Sequence, residues 1–184
     1  MHEPLPQADR TLLLELARDT LKATFAGRPL PLPDPLDDAL TQRRGAFVTL
    51  TIKGALRGCI GHVEAVEPLW RSVRDNTLAA AFRDPRFPPL EEGELEQVVI
   101  EISVLTPMQR VTSPDGVVVG THGLLIERGQ RRGLLLPQVA SERGWDRFTF
   151  LDQTCRKAGL DPGCWHSDET RIFVFCADHF REPG

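Results

Sequence analysis

The chain has 184 residues, 41% hydrophobic and 26% charged, with 26 acidic against 22 basic residues and a formal charge of -4. That is the balance of a single globular domain, long enough to bury roughly 70% of the surface its unfolded form exposes and so in no need of a disulfide or metal staple. The acidic excess argues against nucleic-acid binding, which needs a clustered positive footprint, and no apolar run approaches membrane-spanning length.

The N-terminal MHEPLPQADR is polar and carries two prolines, unlike a secretory signal. Cys59, Cys155, Cys164 and Cys176 are therefore expected to be unpaired thiols in a reducing cytoplasm. From Asp9 to Phe25, Leu12, Leu13, Leu16, Ala17, Leu21 and Thr24 repeat at helical spacing and predict an amphipathic helix. Gly27 and RPLPLPDPL (28–36) end it, and four prolines there predict a stiff surface connector. AFVTLTI (46–52) reads as a strand, KGA turns the chain, and LRGCIG (56–61) returns as its hairpin partner. Alternation then places Leu56, Gly58 and Ile60 on one face and Arg57, Cys59 and Gly61 on the other.

Glu67 and Pro68 open a second helix whose buried stripe is Leu69, Trp70, Val73, Thr77, Ala80 and Ala81. It must stop near Arg83, because DPRFPP (84–89) cannot continue it. QVVIEISVL (97–105) predicts a strand, followed by a loop with Pro107, Pro114 and Gly116. GLLIERGQRRGLLLP (123–137) reads as a hairpin turning at Gly129-Gln130, with its second strand broken by Pro137. Trp145, Phe148, Leu151, Cys155 and Ala158 define a last helix capped by Gly159, and RIFVFCA (171–177) closes with a strand. Hairpin-linked strands with flanking helices make the fold class α+β, with a mainly antiparallel sheet.

The candidate chemistry gathers around LRGCIG. Arg57 shares a strand face with Cys59, and a nearby guanidinium gives a thiol more thiolate character. His62 falls on the opposite face, so His122, in the GTHG loop, is the better candidate for a general base. The competing reading makes Cys59 a small core residue. Arg83 and Arg86 bracket a proline turn; with Arg57, Arg86 forms a clamp for an anionic ligand, or else bonds helix-end carbonyls or pairs with Asp84 or Glu101. Gln138 either reads a ligand's polar edge or satisfies backbone beside Pro137. Cys164 with His166, and Cys176 with His179, resemble two half-sites, but their spacing is not that of zinc ligands, so neither metal nor cofactor is expected. Phosphate-loop, dinucleotide, Gly-x-Ser-x-Gly and HExxH signatures are absent, as is tyrosine.

LRGCIG, AAFRDPRFPPL (80–90), EISVLT (101–106), GTHGLLI (120–126), LLLPQVA (134–140) and KAGL (157–160), in that order, resemble the AMMECR domain family over about residues 9–180. The resemblance implies one AMMECR-type domain, an α+β fold with a larger and a smaller lobe and a cleft between them. It also implies Memo-like and radical-SAM proteins as partners in an AmmeMemoRadiSam system, but no established activity. The favoured function is an accessory protein presenting Cys59 and arginines to an anionic ligand or partner segment. The alternatives are an enzyme with Cys59 as nucleophile, a protein modified at Cys59 by a partner, and an RNA-binding protein.

Overall fold

The computed structural model describes residues 4–34 and 36–183. In chain order the elements are α1 (Gln7–Phe25), α2 (Asp38–Thr41), β1 (Ala46–Ile52), β2 (Ala55–His62), α3 (Leu69–Phe82), β3 (Val98–Leu105), β4 (Gln109–Val111), β5 (Gly123–Arg128), β6 (Arg131–Leu135), α4 (Pro137–Glu142), α5 (Arg147–Lys157), β7 (Arg171–Phe175) and β8 (Ala177–Arg181). They form two four-stranded sheets, ordered β2-β1-β3-β8 and β4-β7-β5-β6. The chain divides accordingly into two compact units: one holds the described residues up to Leu105 and those from Asp178 on, the other Thr106–Ala177. The fold is α+β.

The first unit follows its hydrophobic pattern closely. Ala46, Val48 and Leu50 of β1 and Val98, Ile100, Ile102 and Val104 of β3 point into a core with Leu13, Leu16, Ala17 and Leu21 of α1 and Leu69, Trp70, Val73, Ala80 and Ala81 of α3. The α1 stripe is shifted from the predicted one: Thr20 and Ala23 are buried and Thr24 is exposed. Burial of Thr20 costs little because its hydroxyl donates to Leu16 O at 2.6 Å. The β1–β2 hairpin turns at Lys53-Gly54, both with positive φ (52° and 79°), the two-residue turn that suits the twist of paired strands. Residues 28–34 have no regular structure and are largely exposed, as the proline spacing requires.

The second unit departs further from the sequence reading. Pro137 does not merely break a strand; it occupies the first turn of α4, where its missing N–H is harmless. The last predicted strand, 171–177, is β7, which pairs in this unit; β8 follows it unpredicted and joins β3 in the other sheet. In α5, Phe148 is 53% exposed and Phe150 takes the core position beside Leu151 and Cys155.

Cys155 and Cys164 form a disulfide, contrary to the expectation of four free thiols and no staple. The link is made by a reversal after α5: Gly159 and Gly163, at φ 74° and 82°, turn the chain back toward the helix. Asp152 Oδ1 then accepts from Gly163 N and Trp165 Nε1, each at 2.8 Å, seating Cys164 over Cys155. Intact-mass analysis after alkylation in denaturant is expected to find two thiols, Cys59 and Cys176, without reductant and four with it. For a sequence separation of 9, reduction is expected to cost the unit about 3 kcal/mol, read as a lower melting transition.

Candidate functional site

Strand β2 is an edge strand, and its irregularity sets the geometry of the site. Leu50 lies opposite Gly58 but Thr51 lies opposite Leu56, so Arg57 is an extra residue in a β-bulge. The bulge interrupts alternation. Gly58 and Ile60 face the core, but Leu56 is 42% exposed instead of sharing their face.

Arg57 is the residue whose role differs most from its prediction. Its Nε and Nη2 grip Glu94 at 2.9 and 2.8 Å, and Nη1 and Nη2 donate to the carbonyls of Pro88 and Pro89. Glu94 also accepts from Glu91 N at 2.9 Å. Its carboxyl is held below its ordinary range, chiefly by the Arg57 hydrogen bonds. Arg57 therefore fastens the 88–94 segment to the bulge, and its guanidinium is spoken for by protein groups.

The cation beside Cys59 is Arg86. The free edge of β2 is closed by the DPR turn after α3: Cys59 N donates to Asp84 Oδ2 at 3.0 Å, and Cys59 O accepts from Arg86 Nη2 at 3.2 Å. Asp84 is almost wholly buried and also accepts from Arg86 N, Nε and Nη2 at 3.1, 3.0 and 2.8 Å. The Arg86 guanidinium, followed by the Cys59 and Arg86 N–H groups, holds the Asp84 carboxyl far below the usual carboxylate range. Arg86 itself is 55% exposed. The thiol of Cys59 is partly exposed, unbonded to another cysteine, and accepts from Thr49 Oγ1 at 3.1 Å.

Neither flanking glycine opens a window onto this thiol. A Cβ on Gly58 would stand 2.1 Å from Ala80 O, so the glycine lets α3 lie directly on the strand. A Cβ on Gly61 would stand 2.4 Å from Ala46 O and from the Phe47 ring, which leans across that position.

Arg57, Cys59 and Arg86 thus converge at the β2 edge of the first unit, while His122 and Gln138 belong to the second. His122 Nδ1 accepts from Val118 N at 3.1 Å, which occupies the lone pair of the neutral ring and leaves Nε2 as a donor. That state is the wrong one for a general base. Gln138 sits exposed in the first turn of α4. The half-sites dissolve as well, since Cys164 is bonded to Cys155, and Cys176 and His179 lie in different units. Among the described residues no cluster of three or more His, Cys, Asp or Glu side chains is placed to hold a metal ion, and no helix is long and apolar enough to cross a membrane. The pairing of Arg86 with Asp84 is one of the alternatives the sequence offered, while Glu94 and Thr49 were passed over as parts of the site. Asp84 was legible because it stands two residues before Arg86 in a proline turn; Glu94 and Thr49 carried no such local signal.

The family model described as AMMECR1 matches residues 14–180. The chain belongs to the AMMECR1 family. A protein of Methanothermobacter thermautotrophicus is 47% identical over 190 aligned positions, covering 100% of this chain and 99% of its own. Protein NEQ441 of Nanoarchaeum equitans is 41% identical, covering 92% of this chain and 98% of its own. The crystal structure of uncharacterized protein PH0010 from Pyrococcus horikoshii superimposes with a TM-score of 0.82 at 39% identity, covering 92% of this AMMECR1 chain and 89% of that one. The fold of this AMMECR1 chain is thus shared with a solved structure over 92% of its length.

Proposed function

We propose that this AMMECR1 protein is an accessory binding protein that offers the β2 edge, with Cys59 and Arg86, to an anionic ligand or to a segment of a partner protein. The observation that carries this reading is the state of Arg86. Its Nε and Nη2 are anchored on Asp84 and Cys59 O, so the planar fork is held still, while Nη1 makes no hydrogen bond to any described residue and the side chain is half exposed. A fixed guanidinium with a spare donor face suits a carboxylate or phosphate.

Catalysis by Cys59 is less well supported, because its thiol bonds only to a threonine hydroxyl and its predicted base, His122, has its lone pair engaged. The Memo-like and radical-SAM proteins implied by the sequence resemblance are the partners to test. In titration calorimetry against a purified Memo-like protein, Arg86→Lys keeps a charge for Asp84 but loses the fork, and is expected to weaken binding at least tenfold, about 1.4 kcal/mol. Cys59→Ser is expected to stay within about threefold, roughly 0.6 kcal/mol. The opposite ranking, with both variants melting like the parent, would move the function to the thiol.

A further inference from the structure

The face of the first sheet turned away from its core carries a second constellation, independent of Arg86. Thr49 lies opposite both Cys59 and Glu101, and in the next row Phe47 lies opposite both Gly61 and Ser103. Paired residues share a face, so Cys59, Thr49, Glu101, Gly61, Phe47 and Ser103 line one surface. Glu101 and Ser103 stand two residues apart on β3, and His179 of β8 bridges them. Its Nδ1 is 3.1 Å from Ser103 Oγ and its Nε2 is 3.5 Å from Glu101 Oε2.

The chemistry of this arrangement follows from which nitrogen holds the proton. A carboxylate only accepts, so the tautomer that suits Glu101 carries its proton on Nε2, and in that tautomer the Nδ1 lone pair faces the Ser103 hydroxyl. A hydroxyl bonded to an imidazole that is itself oriented by a carboxylate is the relation required of an activated oxygen nucleophile. The Phe47 ring leans toward β2 over Gly61, and Ser103 itself is largely covered, at 7% exposure. His179 is 50% exposed and Glu101 20%, so the imidazole faces solvent while its carboxylate partner is mostly covered.

We propose that Ser103, His179 and Glu101 form an acyl-transfer site, with Ser103 as nucleophile, His179 as general base and acid, and Glu101 as the positioning residue. The substrate class is an ester or other activated carbonyl compound. Ser103 Oγ bonds to the carbonyl carbon as its proton passes to His179 Nδ1. The bond from carbon to the leaving group then breaks, and His179 returns that proton to the leaving group. Water repeats the sequence on the acyl-serine, releasing the acid and restoring Ser103.

A fluorophosphonate probe tests this directly, because the serine oxygen displaces fluoride and keeps the phosphonyl group. Peptide mass spectrometry of the folded full chain is expected to find the adduct on Ser103. Ser103→Ala should lose it, His179→Gln should slow it about 100-fold or more, and Ser141→Ala, in α4 of the second unit, should leave it unchanged. Glu101→Asp should recover part of the rate that Glu101→Gln loses, at equal melting temperatures. A parent protein that gives no Ser103 adduct, or one that labels as fast in His179→Gln, overturns the proposal. The outcome is separable from the binding experiment, which reads Arg86 and does not involve Ser103.

Discussion

Gly58→Ala is expected to lower the melting temperature of the first unit by roughly 10 °C, from a cost of about 3 kcal/mol. The added methyl would meet Ala80 O at 2.1 Å. Both partners are backbone, one in a strand and one in a helix, so no side chain can rotate away. The strain can be relieved only by lifting α3 off β2, which loosens the packing of Ala80, Ala81 and Ile60 as well. Gly93→Ala is the internal control, since a Cβ there meets nothing within 4 Å. It is expected to melt at or slightly above the parent temperature, because alanine restricts the unfolded chain. Thermal unfolding of the two variants side by side checks the argument; equal melting temperatures would show that the helix and strand do not touch as described.

Asp84→Ala is expected to cost about 3 kcal/mol and to show its effect in the acid limb of stability. The carboxylate is buried and serves Cys59 N, Arg86 N and the Arg86 guanidinium together. Removing it strips the edge of β2 of its acceptor and frees Arg86. The sign of the pH dependence is set by the depressed folded-state value. An unfolded aspartate titrates near 3.9. The Asp84 contribution is therefore complete above that pH and is lost progressively as the pH falls toward the lower folded value. Denaturant midpoints of the parent should drop more steeply below about pH 4 than those of Asp84→Ala. Parallel curves would show that folding does not depress the Asp84 carboxyl.

How much of this was legible in the sequence depends on the range over which each signal acts. The β1–β2 hairpin and α3 were readable because Lys53-Gly54, Pro68 and the apolar spacing are local. Alternation put Gly58 on one face with Ile60, which holds, and with Leu56, which the bulge sends outward. The partners of Arg57 were not, since Glu94 lies 37 residues away and the intervening proline turn sets the approach. The Cys155–Cys164 bond was hidden for a different reason: composition pointed to free thiols, and the reversal that joins them rests on two positive-φ glycines. Alternation places Gly61 on the face of Cys59 but says nothing about which way the neighbouring Phe47 ring tips. At the site, Cys59 and Arg86 were foreseen as neighbours in chemistry, while the assignment of the nearby cation to Arg57 failed because strand parity does not survive a bulge.

The membership of β8 in the first sheet has a consequence for how the molecule is made. Asp178 accepts from Leu5 N and pairs with Arg10, Phe180 enters the first core, and Glu182 binds Arg18 and Ile100 N. Leu5 and Arg18 thus wait for partners made 173 and 164 residues later. On a ribosome, Thr106–Ala177 would emerge with its sheet and disulfide partners all in hand, while the earlier-made segment would still lack its fourth strand. The part synthesised first is then completed after the part that follows it, and α1 must be kept from straying until β8 has been made.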